Sequence, residues 1–305
     1  ALFSNITDEN TAIGYKALKG CTSGDANTAI GSKSGETITT GNYNCLMGRS
    51  AGGAITTGAK NIMIGMMAGD GVNTDNSIFI GYQAGYSSGG NTAPRNHLIG
   101  YLAGSSITTG SDAVCLGSES LKSLTTGNFN TCIGNYSGYS FTTSAGNVSL
   151  GYAAAYSSNT ATGIVAIGYQ SLYTNTIGSS NTAIGNQALY AVSTTGNNTA
   201  LGDFAGKACT GTGNTYLGSG AGTNVTNAAY NVAIGYSALN ANGGGQLVAI
   251  GGYAYGQGGC GYGVAIGYYA GNANTSGTNN YAIGGFANRN VTTGSHNIAF
   301  GYYSN

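Results

Sequence analysis

A short string ending in an aliphatic residue and glycine returns along the whole chain, and this repetition constrains the fold more than any other feature. NTAIG stands at 10–14, 27–31 and 181–185, and variants fill the gaps, so that marking glycines run from Gly14 to Gly301. The 18 repeats are spaced by 16 or 17 residues, with one interval of 19 between Gly81 and Gly100. Helix-pair repeats and propeller blades need about 33 residues or more, so a period near 17 excludes them. Two short strands and two turns fit one coil of a β-solenoid. The repeats leave no room for a second domain, and the expectation is one elongated, all-β domain over 1–305. At about 4.8 Å per coil it would extend roughly 85 Å, with like side chains stacked in ladders.

Columns of the repeat carry the physics. The residue before the marking glycine is aliphatic or aromatic in every repeat: Ile13, Ile30, Met47, Ile64, Ile80, Ile99, Leu116, Ile133, Leu150, Ile167, Ile184, Leu201, Leu217, Ile234, Ile250, Ile266, Ile283 and Phe300. The residue two positions earlier is often Thr, Val or Ile, and apolar or β-branched residues two apart share one face of a strand. This column is expected to be the core ladder. On that reading Ile184→Asp puts an unpaired carboxylate into a thin core and costs roughly several kcal/mol, whereas Gln187→Asp is tolerated.

Three other columns complete the coil. The position three after the glycine is Ala or Ser throughout, from Ala17 to Ser304, which implies a tight interior or close backbone contact. The position between is mixed, with Lys16, Lys33, Gln83 and Glu119 beside aromatics, and is expected to face solvent or a partner. Asn stands four before the glycine in 13 repeats, and a TTG triplet precedes the next strand in six. Both read as turn chemistry, because Gly and Asn tolerate positive φ and Asn can bond its own backbone.

The consensus N-T-A-I-G-Y-x-A-(G/L), often followed by T-T-G, resembles the head repeats of trimeric autotransporter adhesins (YadA-like), and is similar to repeats in bacteriophage tail-fibre proteins. The resemblance covers all 18 repeats. It implies a left-handed parallel β-roll, three chains packed side by side, an extracellular place on a cell surface or virion fibre, and attachment to a host glycan or protein. The period here is longer than that family's, so each coil must carry extra residues in a turn.

Composition narrows function by exclusion. Charged residues make up only 6% of the chain, against roughly 25% in ordinary soluble domains, and nine cations balance nine anions. Duplex nucleic acid and anionic membranes need clustered Lys or Arg, and the nine here are scattered. No stretch approaches the ~20 apolar residues of a membrane-spanning helix. Beyond Lys207 the only charged residue is Arg289, so that third must draw its solubility from polar side chains or hide its surface in a partner. With 41% hydrophobic residues the chain is also unlike a disordered one.

The inventory for catalysis is sparse, and no enzymatic activity, metal or cofactor is expected. His97 and His296 lie about 12 repeats apart and are expected to pack or sit in loops rather than act as bases. Acidic residues never take calcium-loop spacing, and the Gly-rich strings at 243–245 and 258–263 lack the Lys and helix of a phosphate loop. Cys21, Cys45, Cys115, Cys132, Cys209 and Cys260 form no C-x-x-C pair. Cys115 and Cys132 share a column in adjacent repeats, which permits either a disulfide or two free apolar ladder members.

One stripe stands out near the C-terminus. The mixed column carries Tyr253, Tyr269, Phe286 and Tyr303 in four consecutive repeats, next to Tyr268 and Tyr302. Four rings at one coil spacing make a ladder roughly 15 Å long, either a ligand face or a contact between protomers. The leading functional expectation is therefore a non-enzymatic fibre or adhesin segment. The alternatives are a monomeric solenoid that binds a repetitive surface such as ice or polysaccharide, and a self-associating structural filament.

Overall fold

The computed structural model describes residues 9–87, 92–241, 244–258 and 261–305. Residue contacts divide the chain into two compact units, Ala1–Ala153 and Ala154–Asn305. Each is a parallel β-solenoid of nine coils. The first holds β1 (Thr11–Ile13), β2 (Thr28–Ile30), β3 (Cys45–Met47), β4 (Ile62–Ile64), β5 (Ile78–Ile80), β6 (His97–Ile99), β7 (Val114–Leu116), β8 (Thr131–Ile133) and β9 (Val148–Leu150). The second holds β10 (Val165–Ile167), β11 (Thr182–Ile184), β12 (Thr199–Leu201), β13 (Thr215–Leu217), β14 (Val232–Ile234), β15 (Leu247–Ile250), β16 (Gly263–Ile266), β17 (Tyr281–Ile283) and β18 (Ile298–Phe300). Among the described residues each coil thus carries one strand, not the two expected, and turns otherwise.

Within each unit, successive strands pair in parallel and in strict register, for example Thr11 with Thr28 and Ile13 with Ile30. The marking glycines explain that register. Gly14 has φ +127°, and a Cβ there would lie 2.5 Å from the Gly31 carbonyl oxygen of the next coil. Only glycine lets backbones stack so closely, and the same contact recurs coil after coil. Ladder hydrogen bonds such as Gly31 N–H to Ile13 C=O, 2.7 Å, then run on past the strand.

The core differs from expectation at its most prominent column. A three-residue strand points its middle residue to one side and its two flanking residues to the other. It is the middle residue that faces inward: Ala29, Leu46, Met63, Phe79, Leu98, Cys132, Ala183 and Tyr216 are all at most 1% exposed. None of the eighteen residues from Ile13 to Phe300 proposed as the core ladder is buried in the single chain. Leu116 is 47% exposed, Leu201 46% and Phe300 78%. The two-residue periodicity did pair them with the Thr/Val/Ile column on one face, but that face is the outer one.

The reason is volume. The small-residue column is buried from Ala17 to Ala287 as expected, a further turn column fills part of the interior with Ile38, Ile55, Leu124 and Phe141, and the space left behind the strand takes about one large side chain. Two positions share that room, the middle of the strand and the fourth residue after the marking glycine. Where the strand supplies Leu98, the partner position is Gly104; where it supplies Phe79, the partner is Gly85. A Cβ on Gly104 would come within 2.7 Å of Leu98, and one on Gly85 within 2.9 Å of the Phe79 ring. Conversely, Ala166, Ala183 and Ala233 face Leu172, Leu189 and Leu239, all fully buried at φ near +50°. An isoleucine on every coil would not fit beside them.

The asparagine column also departs from the turn reading. Asn27, Asn44, Asn61, Asn181, Asn198 and Asn214 are buried, and their amides bond to neighbouring coils. Asn27 Oδ1 accepts from the backbone N–H and the Nδ2 of Asn44, both at 3.0 Å, while Asn44 Nδ2 donates to the Gly58 carbonyl at 2.9 Å. The column therefore satisfies polar backbone that the thin core could not leave bare. The TTG triplets supply the carbonyls at the other end.

Candidate functional site

Two surfaces stand out on the described residues, and both are built from ladders. The first is the outer strand face. In each unit the flanking columns of the strands place aliphatic and β-branched groups side by side, with Ile62 39% exposed next to Ile64 and Val114 43% exposed next to Leu116. The tyrosines one residue after the marking glycine border it, among them Tyr15, Tyr101 and Tyr236. Parallel sheets are ordinarily covered on both faces, and here only the inner face is covered by the chain itself.

The second surface is the aromatic stripe of the C-terminal unit. Tyr253, Tyr269, Phe286 and Tyr303 stack face to face as the column predicts. Their centroids are 4.8, 5.7 and 4.7 Å apart and their planes lie within 17° of parallel. The Arg289 guanidinium lies beside the stacked Tyr269 and Phe286, 5.1 and 5.0 Å from the ring centroids. Partial burial, followed by the Tyr236 phenol, pushes the Tyr253 hydroxyl above its ordinary pKa. The residues next to this stack form a second set. Tyr236, Tyr268 and Tyr302 stand at 78° to 89° to the nearest stacked rings. The sequence reading named Tyr268 and Tyr302 as neighbours but missed Tyr236 and the glycines between them. The alternation Tyr236, Gly252, Tyr268, Gly285, Tyr302 in one column was the available signal.

The remaining candidates are structural or isolated. His97 lies half-buried on β6 and borders an open groove with Asn76, Arg95, Asp112 and Val114. Arg95 there binds both carboxylate oxygens of Asp112 at 2.6 and 2.9 Å, and these bonds, with that from Ser111, hold the Asp112 carboxyl down at about 2. In the other unit His296 lies 3.4 Å from Asn279. Among the described residues no group of three His, Cys, Asp or Glu is arranged to hold a metal ion, and no helix is long and apolar enough to cross a membrane.

Cys115 and Cys132 face each other in register but are free thiols. Burial pushes Cys115 up to about 12 and Cys132 well above the ordinary thiol range. Cys21 and Cys209 are likewise buried and free, Cys45 is half-buried, and Cys260 lies outside the described residues.

The chain matches no protein-family model, and comparison with curated proteins and with solved structures finds no significant match.

Proposed function

We propose that this chain is a non-enzymatic, extracellular fibre or adhesin segment of a cell surface or virion that associates as a homotrimer and mediates attachment to a host or other surface. The observation that carries the reading is the outward aliphatic ladder. A contiguous apolar strip repeated on every coil of both units is the kind of surface that soluble monomers avoid and oligomers cover. Closed symmetric assembly of identical chains covers it with the same strip. The low charge of the chain removes the repulsion that would oppose such packing. The number three comes from the resemblance of the repeat to adhesin heads.

The test is the mass in solution, by light scattering coupled to gel filtration. A mass near three times the 30.2 kDa chain is expected. Ile184→Asp together with Leu201→Asp, both on the outer face, should return it to one chain while leaving the far-ultraviolet circular dichroism intact. A wild-type mass of one chain across the accessible concentration range would refute lateral assembly.

A further inference from the structure

The alternating tyrosines of the C-terminal unit form a surface distinct from the aliphatic strip, with its own chemistry. Tyr236, Tyr268 and Tyr302 are 58%, 51% and 73% exposed. Each ring stands perpendicular to the stacked ladder beside it, Tyr268 with its centroid 4.6 Å from Tyr269 and 5.5 Å from Phe286, Tyr302 4.6 Å from Tyr303 and 5.8 Å from Phe286. The faces of the inner ladder rings are taken up by one another, so the contact uses their edges. One face of Tyr268 and of Tyr302 is therefore seated on positive ring edges, the favoured arrangement for aromatic pairs, and the exposure leaves the other face to solvent.

The intervening glycines let Tyr268 and Tyr302 lie over the preceding coil. A Cβ on Gly252 would come within 3.3 Å of the Tyr268 ring, and one on Gly285 within 3.3 Å of Tyr302. A side chain at either position would tilt the ring up or push it aside. With Tyr236, 58% exposed and edge-on to Tyr253, Tyr268 and Tyr302 make three exposed rings in a row, two coils apart, a spacing of roughly 9.6 Å at the ordinary distance between paired strands. Residues 208–305 contain a single charged side chain, Arg289, which lies beside the inner ladder, 5.0 Å from the Phe286 ring, so the platform carries one positive charge and no negative one.

We infer that Tyr236, Tyr268 and Tyr302 form a binding platform for a neutral, extended β-1,4-linked glycan of the cellulose or chitin type, laid along the row of coils. In such a chain all the ring substituents are equatorial, so each sugar offers a flat face of C–H groups to the electron-rich face of an aromatic ring. Successive sugars alternate their faces, and every second one presents the same face at a repeat close to the two-coil spacing. An α-linked glucan curves and breaks that match, and a polyanionic glycan would find a single counter-charge, Arg289, for its repeated charges.

This inference rests on the attachment reading and names the surface attached to, but it is tested separately. Full-length protein is mixed with microcrystalline cellulose, with chitin and, as control, with insoluble amylose, and its affinity for cellohexaose and chitohexaose is measured by calorimetry. Retention on one or both β-linked polymers and none on amylose is expected. Tyr268→Ala with Tyr302→Ala should weaken the oligosaccharide by about tenfold or more, whereas Tyr268→Phe with Tyr302→Phe, which keeps both rings, should stay within about threefold of wild type. Circular dichroism and solution mass are recorded for every variant. No retention of wild-type protein, or unchanged affinity in a folded double alanine variant, would overturn the inference. So would a fall in assembly mass in that variant, since the platform would then be an interface between copies. A monomeric wild-type protein that binds the β-linked glycans would sink the trimer and leave the platform standing.

Discussion

Leu98 and Gly104 offer the sharpest test of the rule that the middle of the strand and the fourth residue after the marking glycine share room for one large side chain. Both belong to the coil of β6, and a Cβ at Gly104 would lie 2.7 Å from Leu98 Cδ1 and 2.9 Å from Ile107 Cδ1. Leu98→Ala removes a fully buried side chain and is expected to cost about 3 kcal/mol through lost transfer energy and a residual cavity. Gly104→Leu forces a second large group into the same space, about 2 kcal/mol of overpacking. Its φ of +57° adds about 1 kcal/mol for a residue with a Cβ in the left-handed region. Added independently, the two changes cost about 6 kcal/mol.

Made together they recreate the arrangement of Ala183 with Leu189, where the leucine sits at φ +50° and is fully buried. The double variant should then lose only about 2 kcal/mol, leaving a coupling of several kcal/mol in favour of the pair. Repeat arrays unfold piecewise as readily as globally, so the measurement is amide hydrogen exchange by mass spectrometry on peptides spanning 96–121, backed by urea midpoints. Additivity of the two single effects to within about 0.5 kcal/mol would refute the shared-volume account.

Other consequences follow from the same geometry. Ala183→Asp places a carboxylate at a fully buried position and should destabilise its unit by several kcal/mol, while Ile184→Asp next to it, compared on dissociated single chains so that loss of assembly does not contribute, should leave chemical denaturation nearly unchanged; equal losses would mean that the two faces of the strand are misassigned. Asn198→Ala should strip partners from the Gly211 carbonyl and the Asn214 N–H, now bonded at 3.0 Å each, at a cost of about 2–4 kcal/mol, seen as faster exchange in peptides over 210–216. At pH 8 a thiol reagent should label Cys45 readily and leave Cys115 and Cys132 untouched until unfolding. Both keep their protons in the folded chain where the unfolded chain has lost them, so stability should fall as pH rises from about 9 toward 12. Early labelling of Cys115 would contradict its burial. Arg95→Ala should let the Asp112 carboxyl titrate nearer its ordinary range, visible by carboxyl NMR, with little change in melting temperature because the pair is exposed.

Much of the fold is readable in the chain because repetition averages over local ambiguity. Eighteen copies of one period exclude helix-pair and blade architectures, and the glycine, alanine and asparagine columns mark positions where backbone or core leaves no freedom. The aromatic stripe from Tyr253 to Tyr303 is equally legible, since residues in one column of a solenoid must stack. The alternation of Tyr236, Tyr268 and Tyr302 with Gly252 and Gly285 was present in the same column, but its meaning depends on how the rings lie, which spacing alone does not show.

Which strand face is interior was decided only in three dimensions. A pattern with a period of two says that Thr182 and Ile184 share a face and Ala183 takes the other, and hydrophobicity then favours the isoleucine face as core. The closed coil decides otherwise, because its interior is already occupied by turn residues such as Leu189, which is fully buried like Ala183. The same closure turns Asn44 from a turn residue into a link between coils. The repeat in the sequence determined that these ladders exist; the width of the coil, a property of the whole turn and not of any strand, determined which of them face inward and which are left for a partner.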